Sequence, residues 1–139
     1  MRNFRTLICI SLWVMSLGSL AQNESPLKPC PKSPNCVCTL EKKMRKKMPP
    51  LTFKNNLEES KTRIKEIVFK IEGTKLVQED NNYLHFEFST AIGKYIDDVE
   101  FYFDSTTQLI HFRSASRIGY GDFGANKRRM KRISKAWKA

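Results

Sequence analysis

Residues 83–90, Tyr83-Leu84-His85-Phe86-Glu87-Phe88-Ser89-Thr90, alternate apolar and polar side chains through Ser89. Successive side chains of a strand point to opposite faces, so Leu84, Phe86 and Phe88 share a greasy face and His85, Glu87 and Ser89 a wet one. Asp80-Asn81-Asn82 precedes this run as a turn, and Lys75 to Glu79 reads as a short partner strand. Downstream, a link containing Gly93 leads to Val99 to Phe103, where Val99, Phe101 and Phe103 oppose Glu100 and Tyr102. Asp104-Ser105-Thr106-Thr107 then turns the chain into Leu109 to Ser116, with Ile110 and Phe112 opposite His111 and Arg113. Strands in this succession form an antiparallel sheet with one face buried and one wet.

A helix is expected on each side of the strands. Asn56 can cap the first and Glu59 can complete a capping box, while Leu57, Ile64, Ile67, Val68 and Ile71 form one stripe that Gly73 ends. The glycine-studded loop Ile118-Gly119-Tyr120-Gly121-Asp122 leads into the last helix, capped by Asp122. That helix carries Phe123, Met130, Ile133 and Trp137 on its apolar side and seven Lys and Arg between Lys127 and Lys138. One apolar stripe per helix and one apolar sheet face have an economical solution. The expected class is α+β, a four-stranded antiparallel sheet with two helices, order α-β-β-β-β-α, packed on one face over residues 56–139.

Residues 22–55 read differently. Pro26, Pro29, Pro31 and Pro34 exclude helix from the first part, and Glu41 to Pro50, EKKMRKKMPP, is a basic run closed by a proline pair. This is a Pro/Cys-rich segment followed by a basic linker. Ahead of it, Arg2 and Arg5 precede the apolar run Leu7 to Leu17, and Ser19-Leu20-Ala21 supplies small residues at the first and third positions of a cleavage site. That pattern is a signal peptide, residues 1–21. The run falls short of the ~20 apolar residues that a spanning helix needs. Cys9 lies inside it rather than at its end, where a lipidated cysteine would stand. The chain is therefore expected to be exported, periplasmic or secreted, with no transmembrane helix after cleavage.

Cleavage removes Arg2 and Arg5 and lowers the formal net charge from +11 to +9, with 23 Lys and Arg against 14 Asp and Glu. A remainder of 118 residues is one basic domain. Cys30, Cys36 and Cys38 stay in it, and closely spaced cysteines in an oxidising compartment usually pair. Cys36 and Cys38 both have a claim on Cys30, which leaves one thiol over.

Three blocks carry a resemblance. They are Leu27 to Val37, LKPCPKSPNCV; Tyr95 to Phe101, YIDDVEF; and Arg113 to Arg129, RSASRIGYGDFGANKRR. In this order they resemble the three motif blocks of the family called domain of unknown function 1499, over nearly the whole exported chain. The resemblance implies a small exported, membrane-associated or organelle-lumen protein and no agreed reaction, ligand or cofactor. One departure is Cys38, where the family usually has a small hydroxylated residue.

The strongest candidate site is an anion-binding one, made by Arg113, Arg117, Gly119, Gly121, Gly124, Asn126 and Arg128. A helix N-terminus offers free N–H groups, glycines allow close approach to the backbone, and guanidiniums fork onto phosphate or carboxylate. The competing reading has the glycines only making the strand-to-helix turn, with Asp97 and Asp98 neutralising the arginines across neighbouring strands. Cys30 and Cys36 read as a structural bridge, with Cys38 free or alternative, because five intervening residues are unlike a thiol-oxidoreductase pair. No metal is expected, since His85 and His111 lie far along the chain from the cysteines. No cofactor is expected either.

The basic last helix and the Lys42 to Lys47 run suit an anionic membrane surface or envelope polymer, or serve as a solvated positive face. No nucleic-acid partner is expected of an exported chain. The favoured expectation is a non-enzymatic binding module for an anionic partner, and the alternative is a small hydrolase or thiol-redox enzyme of the cell envelope.

Overall fold

A computed structural model describes residues 25–89 and 95–139. The expected signal peptide and the link around Gly93 lie outside the described residues. Two helices and a sheet make up the domain: β1 (Cys36–Cys38), β2 (Leu51–Thr52), α1 (Leu57–Phe69), β3 (Thr74–Asp80), β4 (Tyr83–Ser89), β5 (Ile96–Asp104), β6 (Leu109–Ser116) and α2 (Ala125–Lys138).

The class is α+β as expected, but the sheet has six strands rather than four. Its order is β1-β6-β5-β4-β3, with β2 also pairing β6, and every strand pairing is antiparallel. The element order is therefore β-β-α-β-β-β-β-α. Both added strands come from the stretch read as Pro/Cys-rich segment and linker, and both lie on the outer edge of β6. An open edge exposes a row of unpaired N–H and C=O groups, and β1 and β2 satisfy them. The prolines do not interfere, because Pro34 stops just short of β1 and Pro50 stands just before β2.

The hairpin periodicity translates directly into packing. Leu84, Phe86 and Phe88 of β4, Val99, Phe101 and Phe103 of β5, and Ile110 and Phe112 of β6 are buried on one face. Phe101 stands opposite Leu84 and Phe112, and its ring lies near Phe86 and Phe112 at 6.1 and 6.4 Å. Helix α1 contributes Ile64, Ile67 and Val68 to this core, and α2 contributes Met130, Ile133 and Trp137. The α1 cap is a variant of the expected box: Asn56 Oδ1 accepts from the Glu59 N–H at 2.9 Å, and Glu59 Oε1 accepts from Asn56 Nδ2 at 2.9 Å. Trp137 donates from Nε1 to the Thr52 carbonyl, which ties the end of α2 to β2.

The basic run 42–47 is not a plain linker. It is a loop clasped to β1, with the Cys38 N–H donating to Lys46 O at 2.9 Å and the Met48 N–H to Cys38 O at 3.3 Å. Lys46 is buried, and its ammonium caps the carbonyls of Pro31 and Ser33.

Candidate functional site

The three motif blocks meet in a buried polar knot beneath the β6–α2 connection. At its centre is Asn126, in the first turn of α2 and fully buried. Its Oδ1 accepts from Ser114 Oγ at 2.6 Å and from Arg129 Nη1 at 2.8 Å. Its Nδ2 lies 3.1 Å from the Asn35 carbonyl, 3.0 Å from Ser116 Oγ and 2.8 Å from Asp122 Oδ2. Arg129 continues outward to Asp97 Oδ2 at 2.6 Å and lies over the Phe88 ring, 4.6 Å from its centroid. Asn35 donates from Nδ2 to the Gly119 carbonyl at 2.7 Å. A buried polar network stabilises a fold only when its members are satisfied, and this one closes on itself. Asn126 thus serves the fold and is not open to a ligand.

Arg113, on the wet face of β6, and Arg117, the residue after its end, do not converge on one ligand. Arg113 pairs with Glu100, directly opposite it on β5, at 2.7 Å. Arg117 forks onto both oxygens of Asp98 at 2.9 Å each and also holds Glu87. Of the expected pairs, Asp98 with Arg117 is present. Asp97 instead points to the helix side and takes Arg129, because neighbouring residues of a strand face opposite ways. Burial alone would raise the Asp98 carboxyl, but hydrogen bonds from Arg117 and His85 outweigh it and hold the group below its usual range. The same partners hold the Arg117 guanidinium more firmly protonated, Asp98 first and Glu87 second. These two arginines have their carboxylates already.

The histidines are engaged as well. His85 Nε2 contacts Asp98 at 2.7 Å, and His111 Nδ1 meets Thr39 Oγ1 at 3.2 Å. Burial pushes the His111 imidazole below its ordinary value, so it is neutral at physiological pH.

The glycines make the turn. Gly119 and Gly124 have φ of +88° and +77°, a conformation that suits glycine. Asp122 closes the N-terminus of α2 by accepting from the N–H groups of Gly124 at 2.9 Å and Asn126 at 2.8 Å. Burial opposes its charge, but these donors prevail and depress its pKa. An internal carboxylate therefore occupies the place expected for an external anion. Arg128 reaches back to the Phe123 carbonyl.

Phe123 itself corrects the sequence reading. It lies outside the helix, not on its apolar stripe, with φ +50° and 98% of the residue exposed. The spacing of seven to Met130 suggested a core position, but α2 begins only at Ala125. Asp122 followed two residues later by Gly124 is the signal that could have revealed this: the carboxylate accepts from the Gly124 and Asn126 N–H groups and the left-handed Gly124 is the N-cap, so Phe123 falls in the turn ahead of the helix.

Phe123 has company. Tyr120 is 79% exposed and Met44, on the clasped loop, 81%. One hollow of about 390 Å³ is lined by Lys32, Pro34, Lys43, Met44, Arg45 and Tyr120 among others. A second, of about 220 Å³, is lined by Pro34, Arg45, Phe123 and Lys127 among others, so Pro34 and Arg45 are common to both. One end of the molecule thus presents Met44, Tyr120 and Phe123 interleaved with Lys32, Lys43, Arg45 and Lys127.

Cys30 and Cys36 form a disulfide, and Cys38 is a buried free thiol. Burial raises the Cys38 pKa, which leaves it a poor nucleophile at neutral pH. Among the described residues no cluster of His, Cys, Asp and Glu could hold a metal ion, and no helix is long and apolar enough to cross a membrane.

No curated protein and no solved structure matches the chain. A family model does, over residues 26–136, the span that contains all three blocks, the Cys30–Cys36 bridge and the Asn126 knot. The chain belongs to the family described as protein of unknown function DUF1499.

Proposed function

We propose that this chain is an exported, non-enzymatic binding module for an anionic surface, and that it docks through the end built by the 117–124 loop, the 41–47 loop and the start of α2. The observation that carries this reading is a contrast in charge compensation. Arg113, Arg117 and Arg129 are paired with Glu100, with Asp98 and Glu87, and with Asp97. Lys32, Lys43, Arg45 and Lys127 are exposed together around two adjoining hollows. The anion contact therefore moves from Arg113 and Arg117, where the sequence placed it, to these four groups.

A basic side chain near an anionic surface contributes ~1 kcal/mol, so four give about 4 kcal/mol at low salt. That attraction weakens as the screening length falls from ~8 Å at physiological ionic strength to ~3 Å at 1 M. The test is retention on an immobilised sulfated polysaccharide. Lys43→Glu with Arg45→Glu should elute at much lower salt than Lys54→Glu with Lys75→Glu, a control of equal net charge at positions elsewhere on the surface. Equal elution of the two double variants would remove the localisation to this end.

A further inference from the structure

Resting on that reading, we infer that the anionic surface is a lipid bilayer, and that Phe123, with Tyr120 and Met44 on the adjoining hollow, forms the apolar tip that enters the headgroup boundary. Charge alone does not require these three side chains. Exposed apolar residues scattered singly are ordinary, but here three large ones, at 98%, 79% and 81% exposure, stand within one basic rim. Aromatic rings bordered by Lys and Arg match the chemistry of a membrane interface, where rings sit at headgroup depth and cations meet lipid phosphates. A soluble polyanion offers the charges without an apolar layer.

Phe123 also stands in the left-handed region, φ +50°, which a bulky residue rarely adopts and which glycine would occupy freely. The turn holds it there: Asp122 caps the N–H groups of Gly124 and Asn126 beyond it, and Arg128 donates to its carbonyl. A strained position filled by an unpacked aromatic ring is a feature the core does not explain. The backbone around it is fixed from below by the Asn126 knot, so the ring is presented on a rigid mount.

The experiment uses the protein purified from its producing cells, with phosphatidylglycerol/phosphatidylcholine vesicles, pure phosphatidylcholine vesicles and the sulfated polysaccharide resin. Phe123→Gly removes the ring and suits the left-handed backbone, so the fold survives the change and its thermal midpoint does not drop. The expected result is binding to the anionic vesicles about tenfold or more weaker than the unmodified protein, with resin retention unchanged. Phe123→Trp should show, after subtraction of the unmodified protein's spectrum, emission shifted to shorter wavelength on anionic vesicles and quenched by brominated acyl chains. If Phe123→Gly binds anionic vesicles as tightly as the unmodified protein, or the difference emission of Phe123→Trp does not move while resin retention persists, the bilayer inference falls and the anionic-surface reading stands. If neither vesicles nor resin retain the protein, both fall. Phe123-dependent self-association without lipid would assign the tip to a second copy and overturn the inference.

Discussion

The side-chain amide of Asn126 donates to the main-chain carbonyl of Asn35, 91 positions away, at 3.1 Å. This contact joins the first and third motif blocks, and Arg129, bound to the same side chain through its amide oxygen, brings in Asp97 of the second. The blocks, far apart in sequence, are pieces of one buried network.

Replacing Asn126 by Leu removes the acceptor of Ser114 Oγ and one acceptor of Arg129, and takes a donor from Ser116 Oγ, Asp122 and the Asn35 carbonyl, which keeps only the Ser116 N–H at 3.0 Å. Each group left unsatisfied costs about 1–3 kcal/mol, so a loss of roughly 3 kcal/mol is expected from urea unfolding. A loss under about 1 kcal/mol would mean that the network is dispensable.

Arg129→Met strands Asp97, whose side chain is 7% exposed. Breaking one half of a buried pair costs about 3–5 kcal/mol, whereas removing both charges is far milder. The double variant Arg129→Met with Asp97→Asn should therefore be more stable than Arg129→Met alone, as read by urea unfolding. Arg117→Ala, at a side chain 40% exposed, should cost under about 1 kcal/mol.

Acid should destabilise the fold. Asp98 and Asp122 both titrate below the ordinary 3.8, held down by hydrogen bonds that outweigh their burial. A depressed folded-state pKa gives stability that is fully present above the unfolded value and is lost as pH falls through the folded one. The expected result is a thermal midpoint that declines as pH falls below about 4, less steeply in Asp122→Asn than in the unmodified protein. An unchanged slope in that variant would contradict the capping role.

Cys38 should resist a thiol reagent in the native protein and react once after unfolding without reductant, because it is buried and its pKa is raised. Rapid native labelling would reverse this assignment and return the cysteines to the functional question.

How much of this was legible follows from where each residue gets its instructions. Leu84, Phe86 and Phe88 announce their strand by local alternation, and Asn56 with Glu59 announces a helix start. Cys36–Cys38 and Leu51–Thr52 carry no such pattern, since strands of three and two residues exist only because β6 offers an edge. The same limit applied at the site. Asp97 and Asp98 are adjacent in sequence yet serve opposite faces; alternation back from Val99 puts Asp97 on the helix side, but only the packed fold brings Arg129 of α2 to it and Arg117 to Asp98. Phe123 kept an apolar spacing that the capping turn overrode.

The most direct test of the account is hydrogen exchange on the protein bound to phosphatidylglycerol vesicles, read peptide by peptide against the free protein. The account predicts slowed exchange confined to residues 41–47 and 117–124, relieved by high salt, with β3 and the outer face of α1 unchanged. Protection centred on α1 or β3, or none at either loop in vesicle-bound protein, would contradict it.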